Sequence, residues 1–149
     1  MLNVDMNVDS AKLRKLIKLD IQKFGSEYMI TLAIEECSEL IKEICKAMRG
    51  NADLNHIAEE AADVLITMEE IGELREIKYA KPTISYRGEF DVISTLAATA
   101  NYLAKDELKD KDVINTITAA KFIVDKLGLQ NCVNKWIVSK INRLENTIL

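Results

Sequence analysis

The sequence predicts an all-α protein, an antiparallel helical bundle, and three observations support this fold class. Only five of the 149 residues are glycine and one is proline, so few positions interrupt a helix. Apolar residues recur at intervals of three and four, whereas the alternation typical of half-buried strands is nearly absent. Apolar residues make up 48% of the chain, which suffices for one buried core, and we expect residues 1–149 to form a single domain.

Capping residues and helix breakers divide the chain into six predicted helices. Ser10 is a candidate N-cap for the first, which is predicted to end near Phe24 because Gly25 follows. Ser26 begins a second helix that runs through Met48. The other predicted helices cover about residues 53–78, 89–104, 110–127 and 130 to the C-terminus, with a loop over 83–88 after the single proline.

Composition excludes several classes of protein. The formal charge is −4, with 24 acidic and 20 basic side chains, so no broad basic face is available and nucleic acid is not expected as a partner. No stretch approaches the roughly 20 apolar residues that span a bilayer, and residues 1–10 lack the pattern of a signal peptide. Cys37, Cys45 and Cys132 lie in apolar helical patterns, which predicts small buried side chains in a reduced, cytoplasmic protein.

The same acidic pattern occurs on two neighbouring predicted helices. Glu36 and Glu39 are three residues apart on the second helix, and Glu60 and Asp63 repeat that spacing on the third. At about 100° per residue, both pairs stand at matching angles to the apolar stripe of their helix. If the stripes pack as an antiparallel hairpin, the four carboxylates meet at one edge; the stripes are Ala33, Cys37, Leu40 and Ile44, and Ile57, Ala61, Val64 and Met68.

Four negative charges at one edge predict a bound cation. Like charges repel each other, and partial burial raises the cost of keeping them ionised. A set of oxygen ligands suits a hard ion, Mg²⁺ first and Mn²⁺ second. A solvated acidic face is the alternative, but the matching register of two pairs favours the metal. A di-iron site or a zincin site would need histidine pairs, and the only histidine, His56, is expected to be a surface or capping residue.

With Glu35-Glu36-Cys-Ser-Glu39 and then Glu60-Ala-Ala-Asp63, the sequence resembles the MazG-like all-α nucleoside triphosphate pyrophosphohydrolases, whose motif is EExxE followed by ExxD. The resemblance covers about residues 13–68 and returns over 140–145. It implies that Glu36, Glu39, Glu60 and Asp63 bind Mg²⁺. It also implies hydrolysis of a (deoxy)nucleoside triphosphate between the α- and β-phosphates, which yields a nucleoside monophosphate and pyrophosphate, and a homo-oligomer, dimer or tetramer, that completes the sites.

Other residues are candidates for the remaining roles. Glu35 matches the leading acid of the motif and is a candidate general base, or an ordinary exposed glutamate. The pyrophosphate needs cations, for which Lys140 and Arg143 are the first choices. Further candidates are Lys42 and Arg49 as cations and Tyr28, Tyr102 and Trp136 as aromatic groups that stack on a base.

Residues 72–115 depart from the pattern of short relatives and form a predicted insertion with a helix of its own. Its apolar stripe must be covered, either by the chain itself or by a second copy; the stripe comprises Val92, Ile93, Leu96, Ala97, Ala100 and Leu103. Two alternative functions remain at this stage. In the first, the protein is a metal-dependent enzyme whose substrate is phosphoribosyl-ATP or dUTP. In the second, it is a non-catalytic helical module for regulation or assembly.

Overall fold

The computed structural model describes residues 10–78 and 80–148, and within them it has six α-helices and no strand. The helices are α1 (Ser10–Phe24), α2 (Ser26–Met48), α3 (Leu54–Leu74), α4 (Glu89–Lys105), α5 (Asp110–Lys126) and α6 (Gln130–Ile148). The predicted all-α class is confirmed. The segment before Ser10, where the sequence predicts no signal peptide, lies outside the described residues.

Helices α2 and α3 form the predicted antiparallel hairpin. His56 near the start of α3 contacts Glu43 near the end of α2, and Asp63 further along α3 lies beside Glu36 earlier in α2. The two predicted stripes face each other in the core, where every member is 0–1% exposed: Ala33, Cys37, Leu40, Ile44, Ile57, Ala61, Val64 and Met68. This packing turns the predicted acidic edges of the two helices toward one another.

Helix α3 is the centre of the bundle, because it packs against α1, α2, α5 and α6. Helix α6 lies beside it in the same direction. Trp136 donates a hydrogen bond from Nε1 to Oδ1 of Asn55 at 3.1 Å, and one helical turn later Lys140 reaches Asp63 at 2.7 Å. The acidic edge of α3 is therefore bordered by α2 on one side and α6 on the other.

Helix α3 ends at Leu74, four residues earlier than the sequence predicts. The N–H of Glu76 bonds to the carbonyl of Glu73, and the N–H of Ile77 bonds to that of Gly72 at 2.9 Å. This pair of bonds is the Schellman motif, and it places Glu76 in the left-handed region at φ 54°. Ile77 then packs on the core. The sequence signal was missed because glutamate stands where glycine usually marks this turn.

The predicted insertion is packed into the bundle rather than appended to it. Helix α4 lies against α2 and α5, so the chain itself covers most of its apolar stripe, although Ala97 is exposed. The buried Asn115 of α5 forms hydrogen bonds with the connection before α4. Its side chain accepts from the N–H of Thr83 and donates to the hydroxyl of Thr83, both at 2.8 Å.

The cysteines are all free, and their burial differs from the prediction. Cys37 is fully buried in the core, where burial and the neighbouring Glu36 raise the pKa of its thiol to about 12. Cys45 and Cys132 are only half-buried. Among the described residues, no helix is both long and apolar enough to cross a membrane.

Candidate metal centre

Three of the four predicted carboxylates come together between α2 and α3. Glu36, Glu60 and Asp63 each offer one oxygen, and these oxygens all lie within 4.8 Å of one another. The contact follows from the hairpin, since equal spacing on antiparallel helices brings residues of one edge opposite each other. A donor set made only of carboxylate oxygens suits a hard divalent cation.

Glu39, the fourth predicted ligand, lies outside this group of three. Its negative charge is nevertheless close enough to raise the pKa of Glu60. Its side chain is half-buried, on the turn of α2 that follows Glu36. Its role as a ligand stays a prediction.

The carboxyl group of Glu36 is the most perturbed of the three. Burial, a hydrogen bond with Asp63 and the negative charges of Asp63 and Glu60 raise its pKa far above the ordinary value. Two carboxyl groups can share a hydrogen bond only when one carries a proton, and the buried Glu36 holds it. Its Oε2 has no hydrogen-bond partner among the described residues. The site therefore has an unused buried oxygen and a proton that a cation can displace.

Lys140 of α6, predicted as a substrate contact, lies at this cluster. Its Nζ is 2.7 Å from Oδ1 of Asp63 and 3.5 Å from Oε2 of Glu59, and its side chain is only 13% exposed. The ammonium group also lies over the ring of Trp136, 5.4 Å from the centroid. Lys140 thus places a positive charge beside the acids, and its role as a phosphate contact stays a prediction.

His56 corrects the sequence interpretation of a surface or capping residue. Its backbone N–H is itself capped by Oδ1 of Asp53, at 3.1 Å. Its ring bridges two carboxylates: Nδ1 lies 3.1 Å from Oε1 of Glu43, and Nε2 lies 3.1 Å from Oε1 of Glu60. Glu43 is 1% exposed and also pairs with Lys46. These contacts hold the carboxylate of Glu60 in place.

A cleft of about 250 Å³ opens beside the three acids, between α1, α2, α3 and α6. Glu36, Asp63, Lys140 and Arg143 line it, so both predicted phosphate contacts on α6 face the same space as two of the acids. Its lining also includes Phe24, Tyr28, Leu32, Ile66, Thr67, Ile141, Leu144 and Thr147. The rings of Phe24 and Tyr28 are stacked with their centroids 4.7 Å apart.

A second pair of carboxyl groups in this cleft was missed by sequence reasoning. Asp20 of α1 and Glu70 of α3 are each 4% exposed and hydrogen-bond to each other. Burial is the main cause that raises the pKa of both groups. Two signals were available: Asp20 interrupts the apolar stripe of α1, and Glu70 follows Asp63 by seven residues on the same face of α3.

Several predicted site residues are not brought to the cleft. Glu35, Lys42 and Arg49 are exposed on α2 or just beyond its end, and none of them lines the cleft. Tyr102 is half-buried on α4, also away from the lining, whereas Tyr28 is part of it. Lys140, Arg143 and Tyr28 therefore line the cleft, whereas Glu35, Lys42, Arg49 and Tyr102 do not.

Comparison with known proteins identified no relative: no family profile, curated protein or solved structure matches this chain significantly.

Proposed function

We propose that this protein hydrolyses a (deoxy)nucleoside triphosphate between the α- and β-phosphates in a Mg²⁺-dependent reaction. One observation carries the proposal: Glu36, Glu60 and Asp63 converge at one end of a cleft that Lys140 and Arg143 also line. Acids that hold a metal, beside cations that hold phosphate oxygens, are what a nucleotide triphosphate with its metal requires. The resemblance to MazG-like enzymes in Glu36, Glu39, Glu60 and Asp63 supplies the reaction type.

Mg²⁺ fits these residues better than a softer metal does. The proposed ligands are carboxylate oxygens. A second group of possible ligands among the described residues, His56, Glu59 and Glu60, includes one nitrogen ligand, and neither group includes a cysteine. Glu36, Glu60 and Asp63 would hold the ion, and Mn²⁺ is the second choice. When bound, such an ion neutralises phosphate charge and lowers the pKa of a coordinated water.

The chain's own residues have distinct tasks in this proposal. Lys140 and Arg143 bind and orient the phosphates. A carboxylate beside the metal ligands accepts the proton of the attacking water. Glu59, whose Oε2 is 3.5 Å from Lys140 Nζ, is better placed for that task than the exposed Glu35.

One contact favours a second candidate function, a non-catalytic helical module. Lys140 already pairs with Asp63 at 2.7 Å, and an internal lysine can neutralise part of an acidic cluster without any metal. In that case the cluster only holds α3 and α6 together. Phosphoribosyl-ATP and dUTP remain alternative substrates of the enzyme.

A homo-oligomer, dimer or tetramer, is also implied by the family resemblance and stays a prediction. Light scattering coupled to size-exclusion chromatography measures it directly. A mass above the 16.8 kDa of one chain supports the prediction, and the mass of one chain at all concentrations contradicts it.

The test of the proposed function is a panel of nucleoside triphosphates with Mg²⁺, in which pyrophosphate and phosphate are measured separately. We expect pyrophosphate release that EDTA abolishes. The Glu60→Gln and Asp63→Asn variants should lose activity by about 100-fold or more, because ligand loss exceeds the usual effect of outer-shell changes. The matched control is Glu73→Gln, on the same helix but outside the cleft. Undiminished turnover in the first two variants, or release of phosphate alone, contradicts the proposal.

A further inference from the structure

The buried Asp20–Glu70 pair lies in the same cleft as the metal centre but is not one of its proposed ligands. Glu70 is 4% exposed, and its Oε2 has no hydrogen-bond partner among the described residues. An acceptor that is buried without a donor is unfavourable in the free protein. Because Glu70 belongs to the lining of the cleft, its carboxyl group is a candidate acceptor for a ligand that brings a donor.

The pair lies at the opposite end of the cleft from the metal centre. On α3, Glu70 follows Asp63 by seven residues, which at 1.5 Å per residue is about 10 Å along the helix. On the antiparallel α2, Tyr28 precedes Glu36 by eight residues and so lies at the same end as Glu70. If the phosphates of a nucleotide lie at Glu36 and Asp63, its sugar and base extend far enough to reach this end of the cleft.

The chemistry of the pair determines which groups it can bind. Because Asp20 and Glu70 hydrogen-bond to each other, one of the two carboxyl groups carries a proton, and the carboxyl oxygens outside that bond are acceptors. At the base end of a nucleotide, the strong donors are the exocyclic amino groups of cytosine, adenine and guanine. Uracil and thymine present carbonyl oxygens on both sides of a single N–H, and these oxygens repel a carboxylate oxygen.

We infer that this end of the cleft is a base-recognition pocket that selects nucleobases with an exocyclic amino group, which donates to the carboxyl group of Glu70. Asp20 is a positioning residue, since it fixes the orientation of the Glu70 carboxyl group. The stacked rings of Phe24 and Tyr28, which line the same end, provide a face for the base. The inference rests on the proposed function for the position of the phosphates, and it disfavours dUTP as the substrate.

The first test uses ligands that differ at the predicted contact. CMP and UMP, titrated into the protein in Mg²⁺ by calorimetry, differ along one edge of the ring: position 4 carries an amino group in CMP and a carbonyl in UMP, and N3 carries a hydrogen only in UMP. We expect CMP to bind about tenfold to hundredfold more tightly, the range for a buried acceptor that the other ligand leaves without a donor. GMP and IMP form a second matched pair with the same expected order. Equal affinities within both pairs overturn the inference.

The second test changes the acceptor. Glu70→Gln can turn its amide to donate to a carbonyl, so the preference for CMP over UMP should fall at least about tenfold. Asp20→Asn should reduce the preference in the same direction, and the control Glu73→Gln should keep the preference of the unmodified protein. Circular dichroism checks that each variant is folded, and the comparison of ligands on the unmodified protein does not depend on any variant. A Glu70→Gln variant that folds and retains the full preference contradicts the assignment.

Failure of this inference can be told apart from failure of the proposed function. Equal pyrophosphate release from dCTP and dUTP contradicts the base preference but supports the proposed hydrolysis. A clear preference for CMP without pyrophosphate release from any triphosphate supports the base pocket but contradicts the proposed hydrolysis. Binding of none of the four monophosphates overturns the pocket.

Discussion

Lys140 illustrates how one side chain sets the electrostatics of the acidic cluster. Its ammonium group lies 2.7 Å from Asp63 and is largely shielded from water by the bundle and by Trp136. Inside a protein, removal of one partner of a buried ion pair leaves the other charge without compensation. The three clustered acids consequently depend on Lys140 whenever no cation is bound.

We predict that Lys140→Met destabilises the protein in EDTA by about 1–2 kcal/mol, because Asp63 loses its counterion. Mg²⁺ should restore more stability to this variant than to the unmodified protein, since the ion replaces the lost charge. Urea unfolding in EDTA and in Mg²⁺ measures both effects. Lys135→Met, an exposed change on the same helix, is the control. Equal stability of Lys140→Met and the unmodified protein in EDTA would refute the role given to this lysine.

Glu69 is a buried acid on α3 that does not line the cleft. It is 0% exposed, and neither carboxylate oxygen has a hydrogen-bond partner among the described residues. Burial, together with the negative charge of Glu73, raises its pKa from 4.5 to about 8, although Lys121 acts in the opposite direction. The folded protein therefore retains a proton on Glu69 that the unfolded chain has released.

The sign of the resulting pH effect follows from this difference in bound protons. Between pH 4.5 and about pH 8 the folded state binds more protons than the unfolded state, so the contribution of Glu69 to stability falls as pH rises. We predict that Glu69→Gln, which stays neutral, is close in stability to the unmodified protein near pH 5 and about 4 kcal/mol more stable at pH 8.5, since each pKa unit corresponds to about 1.4 kcal/mol. Urea unfolding in EDTA at several pH values measures this, with the exposed Glu35→Gln as the control. If the free energies of unfolding of the variant and the unmodified protein differ by the same amount at all pH values, Glu69 is excluded as the titrating group.

At the scale of elements, two helices end in the same motif with different residues at its left-handed position. Helices α3 and α5 both end in a Schellman motif, but the left-handed position is Glu76 in the first and Gly128 in the second. The left-handed conformation strains any residue with a Cβ atom and leaves glycine unstrained. The same motif therefore contains strain in one helix and none in the other.

We predict opposite effects for the two exchanges at these positions. Glu76→Gly should stabilise the protein by about 0.5–1 kcal/mol, and Gly128→Ala should destabilise it by about 1 kcal/mol. A Cβ atom at Gly128 meets no heavy atom within 4 Å, so the second effect reports backbone strain alone. Urea midpoints measure both. Two shifts in the same direction would contradict the assignment of these ends.

At the scale of the whole molecule, the cleft joins helices that are distant in the sequence. Its walls come from α1, α2, α3 and α6, and the three clustered acids link α2 to α3, with α6 alongside. A ligand that binds only the folded arrangement stabilises the whole protein.

We predict that Mg²⁺ raises the melting temperature by about 5–10 °C at a concentration 100-fold above its dissociation constant, since this corresponds to about 2.7 kcal/mol in a domain of this size. Glu60→Gln should remove most of the shift, and Glu73→Gln should keep it. Thermal unfolding followed by circular dichroism is the measurement. No shift at millimolar Mg²⁺, together with no turnover, favours the non-catalytic module.

The sequence by itself determined the six helices, the hairpin of α2 and α3 and the proximity of Glu36, Glu60 and Asp63. Apolar periodicity and equal spacing are local properties that act through the geometry of single helices. Tertiary structure alone decided that Lys140 reaches Asp63, that His56 joins Glu60 to Glu43, and that Glu35 stays outside the cleft. It also decided the pairing of Asp20 with Glu70. Those contacts depend on how helices that are distant in the sequence are rotated and packed against each other. The free energy that favours one packing arrangement comes from the whole core, so no single position in the sequence reveals it.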